Sequence, residues 1–181
     1  MDDLVRQAMA KWPNVPDCFG WLGLDARGSW YMRNDEAQQA GAFQSSLPQA
    51  KGSRVDHEKL KAFIERNYAS DEQGRWYFQN GPQRVFVELE STPWVYRVHG
   101  NGEVQTHTGV PTQVQALWQD EKGRVYLQTP LGLGLVHTQD VACLAELLEQ
   151  QEWPLHECMQ AELDARFGFV RSPLAVHNRQ T

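Results

Sequence analysis

The chain reads as an α+β protein in which antiparallel β-sheets, built from repeated β-hairpin motifs, pack with two to four helices. Three observations predict this. A phrase of the form Asp-x-x-Gly recurs as Asp25-Ala-Arg-Gly28-Ser-Trp30-Tyr31-Met32-Arg33, Asp71-Glu-Gln-Gly74-Arg-Trp76-Tyr77-Phe78-Gln79 and Asp120-Glu-Lys-Gly123-Arg-Val125-Tyr126-Leu127-Gln128. The near-even spacing of its starts, at 25, 71 and 120, is that of duplicated supersecondary units. Residues 85–90 and 94–99 alternate apolar and polar at strand period, while 56–68 and 138–150 repeat apolar residues at helical spacing.

Taken in order, residues 2–11 form a short amphipathic helix capped by Asp2 or Asp3, with Leu4, Val5 and Met9 on its apolar side. Pro13 and Pro16 end it. The first phrase follows, and residues 34–53, rich in Gln, Ala, Ser and Gly, read as a loop or weak helix and as the mobile segment of the chain. Asp56 caps a helix carrying Leu60, Phe63, Ile64 and Tyr68. After the second phrase come the strands 85–90 and 94–99, a turn at Gly100-Asn101-Gly102, and residues 103–108. The third phrase returns through 131–136. Thr138 caps a helix with Val141, Leu144, Leu147 and Leu148 on its apolar side. A shorter helical stretch lies within 153–170, and the last ten residues fray. Residues 1–54 thus form an N-terminal segment with the first hairpin, and 55–181 form helix-plus-hairpin repeats sharing one core, effectively a single globular domain.

Each phrase places strand, turn and strand. The Asp carboxylate accepts backbone N–H groups inside the turn, and Gly supplies the positive φ that closes it. Beyond the turn, Trp30 and Met32, Trp76 and Phe78, and Val125 and Leu127 share one face of their strands, a core face. Tyr31, Tyr77 and Tyr126 share the other face with Arg33, Gln79 and Gln128, which is half-wet and free for function.

Composition bounds the classes of activity. The 181 residues are 41% hydrophobic and 22% charged, with seven Trp, seven Phe and five Tyr, and the net charge is −6. That acidic balance, with no basic run, weighs against nucleic acid and anionic membrane surfaces as partners. No basic leader precedes an apolar stretch, and no apolar run approaches the roughly 20 residues that span a bilayer. Cys18, Cys143 and Cys158 are odd in number and lack ligand spacing, so inert reduced thiols in a cytoplasmic protein are expected.

No catalytic set assembles in the sequence. Gly132-x-Gly134 lacks the third glycine of a dinucleotide fingerprint and reads as a strand whose glycine face meets backbone or aromatic rings. His99 and His107 flank a turn; pairing His99 with Val104 and His107 with Tyr96 puts the imidazoles on opposite faces, whereas a one-residue shift puts them on the same face. No metal and no cofactor is expected. Glu88 and Glu90 read as a solvated strand face with cross-strand charge pairs. Arg84, Arg97 and the Tyr77 hydroxyl are donors on neighbouring strands that together hold a carboxylate or phosphate. With His99, they make up the candidate ligand-binding set.

Residues 55–98 carry a helix, then Asp71-x-x-Gly74-x-Trp-Tyr77, then Val85-x-Val-Glu-Leu-Glu-x-Thr-Pro93-Trp94, and 120–130 continue the pattern. This stretch resembles the bacterial family catalogued as domain of unknown function 1285. The resemblance implies an α+β fold of repeated hairpin-plus-helix motifs and a role in signalling, and it transfers no catalytic residue. Before Val55 the first phrase and the Gln-rich loop have no counterpart, and a sister family of proteobacterial hypothetical proteins is the alternative.

The reading is therefore a cytoplasmic, non-enzymatic module binding a protein partner or small-molecule ligand, with self-association into a homodimer left open. The competing reading is a small enzyme whose site draws on Arg84, Glu88, Arg97 and His99. The turn assignment has a direct test. Gly74→Val should lower stability by more than about 1 kcal/mol, because a β-branched residue resists positive φ; an unchanged melting temperature would defeat it.

Overall fold

The three phrases fold into the same turn in the computed structural model, which describes residues 1–45 and 47–180. Asp71 N–H donates to Arg75 O at 3.0 Å, Gly74 N–H returns to Asp71 O at 3.0 Å, and Asp71 Oδ1 accepts the Gln73 and Arg75 N–H groups. Asp120 does the same with Lys122, Gly123 and Arg124. Asp25 binds Ser29 N–H at 2.8 Å. Gly28, Gly74 and Gly123 sit at φ 78°, 74° and 75°. The second and third turns add an ion pair, Arg75–Asp71 and Arg124–Asp120, each 2.7 Å. Ser29 occupies the equivalent place in the first. Burial pushes the Asp71 and Asp120 carboxyls up, but the hydrogen bonds from these arginines and backbone N–H groups outweigh it and hold both below the ordinary value.

The elements run α1 (Asp3–Lys11), β1 (Cys18–Leu24), β2 (Trp30–Met32), α2 (Asp35–Ala40), α3 (Pro48–Lys51), β3 (Ser53–Arg54), α4 (Glu58–Arg66), β4 (Tyr68–Ser70), β5 (Trp76–Asn80) and β6 (Gln83–Leu89). They continue as β7 (Trp94–Val98), β8 (Val104–Thr106), β9 (Pro111–Thr112), β10 (Ala116–Asp120), β11 (Val125–Thr129), β12 (Gly132–Val136), α5 (Val141–Leu148), β13 (Leu155–Cys158), α6 (Leu163–Phe167) and α7 (Pro173–Gln180). The class is α+β, as expected. The seven α-helices among the described residues exceed the two to four anticipated, because the segment 34–53 winds into two short helices and 173–180 into another, whereas 163–167 is the short helix expected within 153–170.

The chain divides into two units: Met1–Asp25, Ser29–Glu90 and Phe169–Thr181 form the first, Ala26–Gly28 and Ser91–Gly168 the second. The first two phrases share one sheet, so the division does not follow the anticipated boundary after residue 54. In the first unit the strand order is β3-β2-β1-β6-β5-β4; in the second it is β13-β10-β11-β12-β7-β8-β9. Neither sheet is purely antiparallel. β1 runs parallel to β6, β12 to β7 and β10 to β13. Long connections separate the paired strands in sequence, through helices between β1 and β6 and between β10 and β13 and through four strands between β7 and β12, and such crossovers permit parallel pairing.

In the second unit the glycine strand behaves as anticipated. A Cβ on Gly134 would overlap the Tyr96 ring, so only hydrogen fits there. The Tyr96 hydroxyl meets Thr129 Oγ1 at 2.7 Å, and burial pushes its pKa up to about 12. Tyr126 is fully buried and donates to Asp120 Oδ2 at 2.8 Å, and Leu127 on the opposite face is also fully buried. The third phrase therefore has no free tyrosine face. Helix starts differ by one residue from expectation. His57, not Asp56, caps α4 through Nδ1, and His137, not Thr138, caps the 3₁₀ turn Thr138–Asp140 before α5.

In the first unit both faces of the sheet centre are covered. Leu22, Leu24, Trp30, Val87 and Leu89 fill one side, where Phe63 of α4 meets Phe78 edge-on at 5.3 Å. Met32, expected on this core face, is 53% exposed at the end of short β2. On the other side Arg33 is 1% exposed. Its guanidinium donates to the carbonyls of Ala50 (2.7 Å), Gly20 (3.3 Å), Ala37 (3.2 Å) and Gly41 (2.6 Å). Those bonds fold residues 34–53 onto the sheet, with Phe43 fully buried beside Tyr31. The segment expected to be a mobile loop is thereby an ordered cover; Ser46 within it lies outside the described residues.

Glu88, read as part of a solvated face, is 1% exposed. It accepts Ser172 Oγ at 2.6 Å, Leu174 N–H at 3.0 Å and Gln44 Nε2 at 3.3 Å. A carboxylate at the first turn of α7 satisfies helix N–H groups and complements the dipole. α7 then packs on β1 and β6, with His177 stacked on Phe19 at 4.3 Å and Phe19 on Phe86 at 4.7 Å. The residues expected to fray are thus helical through Gln180, and Thr181 lies outside the described residues. Glu90, by contrast, is half-buried and pairs with Lys51 at 2.9 Å.

Removing the Arg33 guanidinium leaves buried carbonyls without donors, each costing about 1–3 kcal/mol. Arg33→Met should therefore lower stability by at least about 3 kcal/mol, and amide exchange should accelerate first within 34–53. Equal protection in the variant would show that the carbonyls are held by something else.

Candidate functional site

A groove of about 320 Å³ in the first unit is built where the chain leaves α1 and crosses the β5–β6 hairpin. Met9, Trp12, Pro13, Val15 and Pro82 supply apolar walls, and Asp17, Tyr77, Gln79 and Arg84 supply polar groups. The prolines explain the placement. Pro13 stops α1, and the extended residues that follow are tied down by Gln83 Nε2, which donates to Pro16 O at 3.1 Å. Asp17 Oδ1 and Oδ2 then accept Arg84 Nε at 2.9 Å and Nη2 at 3.0 Å, a bidentate pair. The guanidinium lies 5.7 Å from the Tyr77 ring centroid and 5.6 Å from that of Phe86. Gln79 stands directly opposite Arg84 in the β5–β6 register, and Tyr77 opposite Phe86. Trp12 is 57% exposed, an unusual setting for a large indole.

Of the anticipated binding set, Tyr77 and Arg84 meet in this groove. Arg97 and His99 do not join them, because β6 and β7 belong to different sheets. Arg97 pairs with Asp140 through Nε and Nη2, and Asp140 Oδ2 also accepts Val98 N–H at 3.1 Å. Burial pushes the Asp140 carboxyl up, but these bonds prevail and hold it below the ordinary value. His99 follows β7, and its N–H donates to Glu103 O at 2.9 Å. It lines a separate cavity of about 460 Å³ with Gln105, Thr112, Gln113 and Trp153.

The register Val98↔Val104, Tyr96↔Thr106 is the shifted one, so His99 and His107 share a face. His107 stands opposite Val95, whose N–H its Nδ1 accepts at 3.2 Å, and four residues of strand, roughly 13 Å, separate the two imidazoles. They cannot ligate one ion. Among the described residues no group of three or more His, Cys, Asp or Glu could hold a metal ion. The four residues of the competing enzyme reading are likewise divided, with Arg84 and Glu88 on β6, Arg97 on β7 and His99 just beyond it. A third hollow, of about 460 Å³, holds Cys158 among Asp120, Glu121, Glu157 and Glu162. Burial, and then Asp120, Glu121 and Glu162, raise the thiol pKa against a smaller opposing effect of Arg166, which keeps it a poor nucleophile.

A family model described as "Protein of unknown function (DUF2946)" matches residues 1–174. The chain belongs to that family. Among solved structures it is similar to a DUF1285 family protein from Silicibacter pomeroyi DSS-3, at 16% identity over 81% of this chain and 85% of that one, with a TM-score of 0.48. It is similar also to a DUF1285 family protein from Shewanella baltica OS155, at 14% identity over 73% and 93% of the two chains, with a TM-score of 0.46. No curated protein matches.

The sequence reading named none of the other groove residues as site members, Trp12, Asp17 and Gln79 among them. Gln79 was within reach, since it shares a strand face with Tyr77 at i+2, and a tryptophan between helix end and proline marks an aromatic left without a core to enter. Asp17 carries no local signal, because its partner Arg84 lies far along the chain.

Asp140→Asn should cost about 1–3 kcal/mol at pH 7 by weakening charge-assisted bonds. The folded carboxyl titrates below its unfolded value of 3.8, so its contribution is full above that value and is lost as pH falls through the lower folded value. Urea melts of both proteins at pH 7 and pH 3 check this, and a gap that widens at pH 3 refutes the assignment.

Proposed function

We propose that the chain is a non-enzymatic binding module whose ligand is a small molecule seated in the groove of Trp12, Asp17, Tyr77, Gln79 and Arg84. The observation supporting this is the convergence there of exposed indole, phenol and a pre-oriented guanidinium. Asp17 and the Tyr77 and Phe86 rings hold Arg84 in place before any ligand arrives, which lowers the ordering cost of binding. A concave site with apolar walls and a few fixed polar groups is the usual form of a small-ligand pocket, and its volume lies at the small end of that range. A protein partner would instead call for a broad, flat patch.

The cytoplasm remains the proposed setting. No helix among the described residues is long and apolar enough to cross a membrane. The signalling role implied by the family resemblance suits a module that senses a metabolite, and neither nucleic acid nor a membrane surface is a proposed partner of an acidic chain with this groove.

The test is a thermal-shift panel of small carboxylates, amines and amino acids, followed by amide-shift mapping. At 100-fold excess over Kd a ligand stabilises by about 2.7 kcal/mol, a rise of about 5 °C or more for a chain of this size. The expected result is such a rise with perturbed signals at Trp12, Tyr77 and Gln79. Trp12→Ala, a surface change worth less than about 0.5 kcal/mol, should abolish it. Perturbations confined to the His99 cavity, or none with any compound, would overturn the reading.

A further inference from the structure

Gln79 at the base of the groove is 1% exposed. Its Nε2 donates to Gly81 O at 2.9 Å, but its Oε1 is buried and accepts no hydrogen bond among the described residues. A buried acceptor left unmade costs about 1–3 kcal/mol, and native proteins keep few of them. Gln79 lines the groove and its terminal amide torsion is soft, so a ligand N–H at the groove base would supply the donor that Oε1 lacks. An acceptor in that position calls for a ligand N–H.

Directly across the strand pair, Arg84 commits Nε and Nη2 to Asp17, and Nη1 has no acceptor among the described residues. A donor in that position calls for a ligand oxygen. The Arg84–Asp17 pair is neutral as a whole. A simple anion reaching Nη1 meets the Asp17 carboxylate beside it, and a simple cation reaching Asp17 meets the guanidinium. A ligand carrying both charges a few bonds apart satisfies both, with its carboxylate on Arg84 Nη1 and its ammonium between Asp17 and Gln79 Oε1. Around this polar end stand Met9, Val15 and the two prolines, which offer apolar contact, and Trp12, which offers an aromatic face.

We infer that the groove binds a free apolar or aromatic α-amino acid, its charged end on Arg84, Asp17 and Gln79 and its side chain against Trp12. This rests on the groove being the ligand site, and it names the ligand class. A volume of about 320 Å³ suits one such molecule rather than a longer peptide.

Calorimetric titration of the full chain with L-phenylalanine, 3-phenylpropionate and phenethylamine tests it, since the last two each lack one charge. L-Phenylalanine should bind, and either analogue should bind at least about ten-fold more weakly, the equivalent of one lost charge-assisted hydrogen bond. Arg84→Gln and Asp17→Asn should each weaken L-phenylalanine by a similar factor. Gln79→Met, with an unchanged far-UV spectrum, should weaken it about five-fold, the loss of one such acceptor. Equal binding of 3-phenylpropionate would make the groove a plain carboxylate site and overturn this inference alone. Absence of L-phenylalanine binding alongside groove perturbations by other compounds would do the same. L-Phenylalanine binding unaffected by both Arg84→Gln and Trp12→Ala would place it elsewhere and overturn it too. No groove perturbation by any compound would remove both this inference and the reading beneath it.

Discussion

The Arg33 guanidinium is the contact on which the first unit depends. It enters the protein with four carbonyl acceptors, at Gly20, Ala37, Gly41 and Ala50, three of them in the segment that follows it. Burial lowers its pKa, and the charge of Glu88 offsets part of that effect. A buried cation without such partners would be very costly. With them, it fastens an otherwise weakly apolar stretch over the second face of the sheet, where Phe43 packs against Tyr31. Glu88 plays the matching part on the same face by anchoring the start of α7. Two buried charges thus convert a sheet with one wet face into a sheet covered on both.

The location of the groove follows from that coverage. Residues 34–53 and α7 occupy the second face over β1, β2 and the end of β6 near Glu88. The opposite end of the β5–β6 hairpin, with Tyr77, Gln79 and Arg84, is crossed by the end of α1 and the extended residues after it. Prolines hold that crossing strip away from helical or ladder pairing, so side chains rather than backbone close the gap. A cleft between a rigid hairpin and a proline-stiffened strip keeps its polar groups oriented. The Arg84–Asp17 pair is the tie across that cleft.

Legibility in the sequence tracked the range of the interaction. The Asp-x-x-Gly turns were readable because donor, acceptor and φ requirement all lie within five residues. The packing of Gly134 on an aromatic ring was readable as a type of contact, though the identity of the ring, Tyr96, was not. Glu88 was misread because alternation along 85–90 describes only one strand, and its meaning changes when helix and loop cover the polar side. The histidine pair turned on a single residue of register, which a four-residue turn at His99–Gly102 shifted. Tyr77 and Arg84 were placed together correctly, since they sit on adjacent strands of one hairpin. Arg97 was grouped with them wrongly, since strand succession in the chain says nothing about a change of sheet.

The sequence by itself determined the local vocabulary: α+β class, three like turns and the two principal helices. These depend on backbone propensities and nearest-neighbour hydrogen bonds, which a short window contains. Only the tertiary structure decided which polar residues are buried and which remain open. Arg33 and Glu88 became internal fasteners, while Asp17 and Arg84 stayed half-buried in a groove lined also by Trp12 and the buried Gln79. The physical reason is that desolvation is a property of everything packed around a group, and those neighbours come from distant parts of the chain.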